Sequence, residues 1–237
     1  LYSSAASDVY KRQLWRIALG ISWFWTLGAL LISLFPLVVK DILLAPEFFV
    51  SIFFGIFSIG VGLGSIFCNW LLKGRIEATW VPLASLVMGG SLFSFYWLLQ
   101  SPLPGETLSF SFFLGLRGAG ISLSLFLLSF SAGVFIVPLY GLLQHLTNDV
   151  ERSRIIAANN VLNAFLMVIG SLALAAATHF GVSIGGVLLG LAALNILFAL
   201  YTALLLPNEL FKGVLRMLFL TIFRARIKGL EHFANVG

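Results

Sequence analysis

The sequence predicts an all-α integral membrane protein, a bundle of six transmembrane helices with both ends of the chain in the cytoplasm. Three observations carry that prediction. First, the 237 residues are 60% hydrophobic and only 10% charged, with a mean hydropathy of +1.05. A water-soluble domain is about 45–50% apolar and about 25% charged, so a soluble enzyme is excluded. Disordered chains are poor in aromatics, whereas 14% of this chain is Phe, Trp or Tyr. Second, six stretches contain no Asp, Glu, Lys or Arg: residues 17–39, 48–72, 80–99, 121–143, 155–178 and 182–206. Each reaches the roughly 20 residues that a bilayer crossing needs. Third, the basic residues are distributed asymmetrically between the two ends of these stretches.

The first thirteen residues stand apart. Residues 3–13 (SSAASDVYKRQ) read as the in-frame translation of a transposase-type sequencing adapter, and such segments are excluded from fold reasoning. The natural sequence is therefore expected to begin near Leu14. Setting aside Lys11, Arg12 and Asp8 leaves 12 basic and 8 acidic residues of the original 14 and 9, a net charge of +4. With the N-terminus inside, ten of those twelve basic residues fall on the cytoplasmic side. Only Lys40 and Arg117 fall outside, as positive-inside bias requires.

Charges punctuate the spans in order. Lys40, Asp41 and Glu47 follow the first, and Lys73, Arg75 and Glu77 the second. Glu106 and Arg117 flank the third and fourth, and Asp149, Glu151, Arg152 and Arg154 separate the fourth from the fifth. One charged side chain at the bilayer centre costs about 2.5–3.5 kcal/mol on insertion scales, so the six gaps are a strong signal. A membrane β-barrel would show strands of about 10 residues with alternating polarity; these runs are continuous and twice as long.

In the second span Gly60, Gly62 and Gly64 do not fit a nucleotide-binding loop, which needs a preceding strand and a third glycine that is missing here. Gly60 and Gly64 instead form a small-xxx-small surface for close helix packing. The fourth span gathers Ser122, Ser129, Gly133, Tyr140 and Gln144 on one narrow face, beside Pro138, which removes a hydrogen bond from the helix interior. The fifth span holds Asn159, Asn160 and Asn163 within an arc of about 100°, extended by Met167, Gly170 and Ser171. That face either lines an aqueous cavity or forms hydrogen bonds to a neighbouring helix. The first span adds Ser22, Trp23, Trp25 and Ser33. Residues 208–227 carry Leu210, Val214, Leu218 and Ile222 at four-residue spacing opposite Lys212 and Arg216, the pattern of a helix lying in the cytoplasmic interface.

Chemistry-bearing patterns are sparse. Cys68 is the one cysteine, and His145, His179 and His232 are dispersed. No nucleophile triad, paired carboxylate or metal-ligand spacing appears, so no catalytic residue, metal or cofactor is assigned and no nucleic-acid partner is expected.

Several segments together resemble a known family. The stretch NWLLKGR at residues 69–75 looks like a degraded form of the major facilitator superfamily's cytoplasmic loop signature, with Asn69 at the acidic position and Lys73, Gly74 and Arg75 following. ERSRIIAANNVLNAF at 151–165, WRIALGISWFW at 15–25 and RIKGLEH at 226–232 resemble bacterial lysophospholipid transporters fused to a glycerophospholipid acyltransferase. The resemblance implies that residues 14–207 are the C-terminal six-helix half of such a transporter and that residues 228–237 open the acyltransferase domain. That domain's His-x-x-x-x-Asp motif is absent from the chain. It further implies a multi-pass protein of the bacterial inner membrane that moves lysophospholipid to the inner leaflet for re-acylation. Its partners would be membrane lipid, the lysophospholipid substrate, the preceding six-helix half and the acyltransferase domain. On this reading Asn159, Asn160, Asn163, Gln144, Ser129, Tyr140 and Trp23 are the candidate cavity-lining residues. The competing expectations are a drug or small-solute carrier of the same superfamily, and a membrane anchor for a lipid acyltransferase.

Overall fold

The charge-free runs become helices because an unpaired backbone N–H or C=O in hydrocarbon costs several kcal/mol, and a helix pairs them all within one segment. The computed structural model describes residues 2–100 and 110–205. Within them lie helices α1 (Tyr2–Leu37), α2 (Phe48–Leu72), α3 (Val81–Gln100), α4 (Phe110–Leu114), α5 (Leu116–Leu146), α6 (Asp149–His179) and α7 (Ile184–Leu205). Six of them, all but α4, are long and apolar enough to cross a membrane. They coincide with the six expected spans within a few residues, except that α1 continues back through the adapter-like stretch. The expected interfacial helix at 208–227 and the segment 228–237 lie outside the described residues. The end of the bundle predicted to be cytoplasmic is called the inner end below.

Helix ends are set by local chemistry. Past Pro36, α1 widens into a π-helical turn over Val38–Ile42, in which Leu43 N–H reaches Val38 O at 2.9 Å. Leu44 follows in the left-handed region at φ 46°, and Pro46 stops continuation. At the end of α6, Val182 N–H bonds Ala177 O at 2.9 Å and Gly181 N–H bonds Thr178 O at 3.1 Å. This is a Schellman cap, with Gly181 at φ 79° supplying the conformation it needs. Only two residues, Val182 and Ser183, then separate that cap from α7.

α5 is the central element, packing on α1, α2 and α3. Its closest neighbour is α2. A Cβ on Gly60 would collide with Ser129, one on Gly64 with the Phe130 carbonyl, and one on Gly133 with the Val61 carbonyl. The glycines therefore act as the packing surface that their spacing predicts, letting two backbones touch. α5 stays helical through Pro138, which is buried. Towards the outer end, Phe35, Phe49, Phe53, Phe95 and Phe113 join α1, α2, α3 and α4, with ring centroids 4.3–6.3 Å apart between contacting pairs. Edge-to-face and stacked pairs of this kind add about 0.5–1.5 kcal/mol each beyond burial.

The packing order is crosswise. α2 packs mainly on α5, α6 packs on α1, and α3 packs against α7 as well as α5. α6 has little other company: Asn159 and Asn163 are its only buried residues.

Candidate functional site

The polar residues nominated from sequence separate into three groups. The first joins α1 to α6. Ser22 Oγ, fully buried, donates to Asn163 Oδ1 at 2.6 Å. Asn159, one turn earlier, extends its amide nitrogen to the same oxygen at 3.5 Å. Asn159 and Asn163 are both buried, because their face of α6 is the one that meets α1. The Asn159 Oδ1 atom is buried without a partner among the described residues. Asn160, one residue on and about 100° round the helix, is exposed.

The second group joins α1 to α7 and α3. Trp23 donates from Nε1 to Asn195 Oδ1 at 2.8 Å, and its ring stacks on Phe198 with centroids 5.4 Å apart. Asn195, fully buried, donates in turn to the Ser85 carbonyl at 3.1 Å. The Ser85 and Thr202 hydroxyls lie 3.2 Å apart. Asn195 was not nominated, although it is the sole carboxamide in its span and was legible on that ground. A lone Asn in an apolar span must find a partner, because an unpaired buried amide costs about 1–3 kcal/mol.

The third group is on an uncovered surface. Trp25 Nε1 donates to Tyr140 Oη at 2.9 Å, linking α1 and α5 with Trp25 exposed. Gln144 is exposed one turn beyond Tyr140. Ser129 belongs to none of these groups: it is fully buried, returns its hydroxyl to the Leu125 and Phe126 carbonyls at 3.0 Å, and packs on Gly60. The seven nominated residues thus do not converge on one cavity. Asn159, Asn163 and Trp23 hold helices together, Ser129 fits a close crossing, and Tyr140, Gln144 and Asn160 reach the surface.

Two cavities lie at opposite ends. The inner one, about 400 Å³, is walled by Ile17, Val81, Phe135, Leu139, Phe198 and Tyr201, with Arg12, Gln13 and Arg16 contributing polar atoms. Of those three, only Arg16 lies outside the adapter-like stretch. The outer cavity, about 670 Å³, lies where the ends of α1, α3, α6 and α7 meet. None of the seven nominated residues lines either cavity.

The loop residues Asn69, Lys73, Gly74 and Arg75 form the turn after α2. Lys73 takes a left-handed conformation, φ 49°, and its N–H bonds the Asn69 carbonyl at 3.1 Å; Gly74 follows at φ 79°. The Arg75 guanidinium stands 3.9 Å from the Glu77 carboxylate. Both side chains are well exposed, so the pair adds little stability. Among the described residues no three His, Cys, Asp or Glu side chains gather as a metal site would require. No known protein-family model, curated protein or solved structure matches the chain.

Proposed function

We propose that this chain is one six-helix half of a two-bundle transporter of the major facilitator type, and that the whole protein moves lysophospholipid to the inner leaflet for re-acylation by an attached acyltransferase. The observation that carries the transporter reading is the crosswise packing. The six spanning helices fall into two sets of three, α1–α3 and α5–α7, and three crossings leave the second set inverted relative to the first. The second helix of each set packs on the first helix of the other, α2 on α5 and α6 on α1, while the third helices pack together. Nested inverted three-helix repeats are how each half of this superfamily is built.

The uncovered surface supports the amphiphilic substrate. On α5, Leu123 and Leu127 are exposed towards the outer end, and Tyr140 and Gln144 lie towards the inner end. An apolar run followed by hydrogen-bonding groups suits a single acyl chain and a polar head. The sequence resemblance supports the lysophospholipid in particular. A plain membrane anchor would leave these polar groups without use.

The reading is tested in the full-length protein reconstituted in vesicles, with inward movement of labelled lysophospholipid as the readout. Tyr140→Phe, Gln144→Leu and Asn160→Leu in combination are expected to slow movement at least about tenfold, with unchanged yield of folded protein. Unaltered movement would overturn the assignment of this surface. Absence of lysophospholipid movement in the unsubstituted protein would overturn the substrate.

A further inference from the structure

The inner cavity is set among α1, α3, α5 and α7, and no residue of the surface assigned to transport lines it. Those four helices form a ring. α5 packs on α1 and α3, and α3 packs on α7, whereas α1 and α7 meet only lightly.

Contacts across the ring hold the cavity walls. A Cβ on Gly20 of α1 would stand 2.9 Å from Leu139 Cδ1 and 3.8 Å from Phe135 Cζ of α5. The Phe198 ring of α7 lies 6.1 Å from Phe135 and 6.3 Å from Tyr201, between centroids, and 5.4 Å from Trp23 of α1. Ile17, Val81, Phe135 and Leu139 are all buried. The Trp23–Asn195 bond closes the seam between α1 and α7 on its outer side. Inward of that bond, Arg16 and Ile17 line the cavity from α1, and Tyr201 and Thr202 line it from α7.

This space does not suit water. A buried water needs two to four hydrogen-bond partners. The buried walls are hydrocarbon, and the Thr202 hydroxyl already bonds the Ala199 carbonyl at 2.8 Å. Left unfilled, the 400 Å³ would forfeit dispersion contacts along the whole wall. A lipid chain is as apolar as leucine, so it passes from bilayer to cavity without a solvation cost. On the rim, Arg16 is exposed and makes no ion pair with any described residue. A cation there complements an anionic headgroup at the inner surface.

We infer that the inner cavity binds one acyl chain of an anionic phospholipid of the inner leaflet. The chain enters where α1 and α7 part, and its phosphate stays beside Arg16. Seated there, the lipid closes the ring at its weakest seam. The site does not depend on the transport reading, because it takes a bilayer lipid as a resident ligand on residues that the transport surface does not use.

Photocrosslinking tests the site in the full-length protein, in phosphatidylcholine vesicles containing phosphatidylglycerol with a diazirine on one acyl chain. Mass spectrometry should find more crosslinks on Ile17, Val81, Leu139 and Leu142 than on Phe93 and Trp97, which are exposed on α3. Leu142→Trp and Ala78→Phe add bulk from half-buried wall positions. Each should remove most wall crosslinks, keep those on α3 and leave the melting temperature unchanged, whereas Leu142→Ile should keep both sets. Competition in the unsubstituted protein needs no variant: unlabelled phosphatidylglycerol should displace the wall crosslinks and phosphatidylcholine should not. Arg16→Gln should lower that preference about fivefold, the effect of one cation near an anionic headgroup. Equal crosslinking of wall and α3 face, or equal displacement by the two lipids, would overturn the proposal. Wall crosslinks from a lysophosphatidylglycerol probe alone would overturn it too, and would give the cavity to the transported lipid. Selective wall labelling in a protein that moves no lysophospholipid would leave this site standing and remove the transport reading.

Discussion

Ser22 and Trp23 are neighbours in sequence, but their side chains leave α1 about 100° apart, so one helix is tied to two partners at one depth. Ser22 meets Asn163 of α6, and Trp23 meets Asn195 of α7. Cutting either tie should be costly. Asn163→Leu strands the buried Ser22 hydroxyl and Asn159 amide, and Asn195→Leu strands the part-buried Trp23 indole N–H. Each should cost about 1–3 kcal/mol, read as a fall in unfolding midpoint when the variants are titrated with denaturing detergent. Asn160→Leu, altering an exposed side chain, should leave that midpoint unchanged. The three asparagines look alike in sequence because helical periodicity fixes their relative angles and not what stands opposite. Asn159 and Asn163 turned out to face α1; that choice belongs to the packing of α6, which no local pattern states.

At the scale of elements, α2 and α5 form the tightest pair and α6 the loosest attachment. A valine at position 64 would drive its side chain into the Phe130 backbone, which cannot yield as a flexible side chain can. Gly64→Val should therefore cost more than about 1–3 kcal/mol, the usual range for overpacking, and should lower the monodisperse fraction in fluorescence size-exclusion chromatography. Gly62→Ala, with open space at its Cβ, should behave as wild type. The second span's limits and the glycine surface were legible because hydropathy and four-residue spacing depend on the chain alone. The π-helical turn of Val38–Ile42 and the short α4 were not, since each is a response to how helix ends meet. The inner cavity was equally hidden: Ile17 and Phe198 stand far apart in sequence and share its wall only in the assembled bundle.

For the molecule as a whole, the charge distribution predicts orientation. Among the described residues outside the adapter-like stretch, Arg16, Lys73, Arg75, Arg152 and Arg154 lie towards one end and Lys40 and Arg117 towards the other, so an impermeant maleimide should label Phe180→Cys in intact cells and spare Gly74→Cys, both in a Cys68→Ser background. The reverse pattern would invert the assignment. The crosswise packing has a further consequence, in the time order of synthesis. Ser22 is bonded to a residue 141 positions later and Trp23 to one 172 positions later. At about 5–20 residues per second, α1 leaves the ribosome roughly 7–30 s before α6 arrives to accept its hydroxyl. For that interval the first helix holds unpaired polar groups at membrane depth. Its residence beside the insertion machinery, and not in open lipid, is thus a requirement written into where its partners stand in the chain.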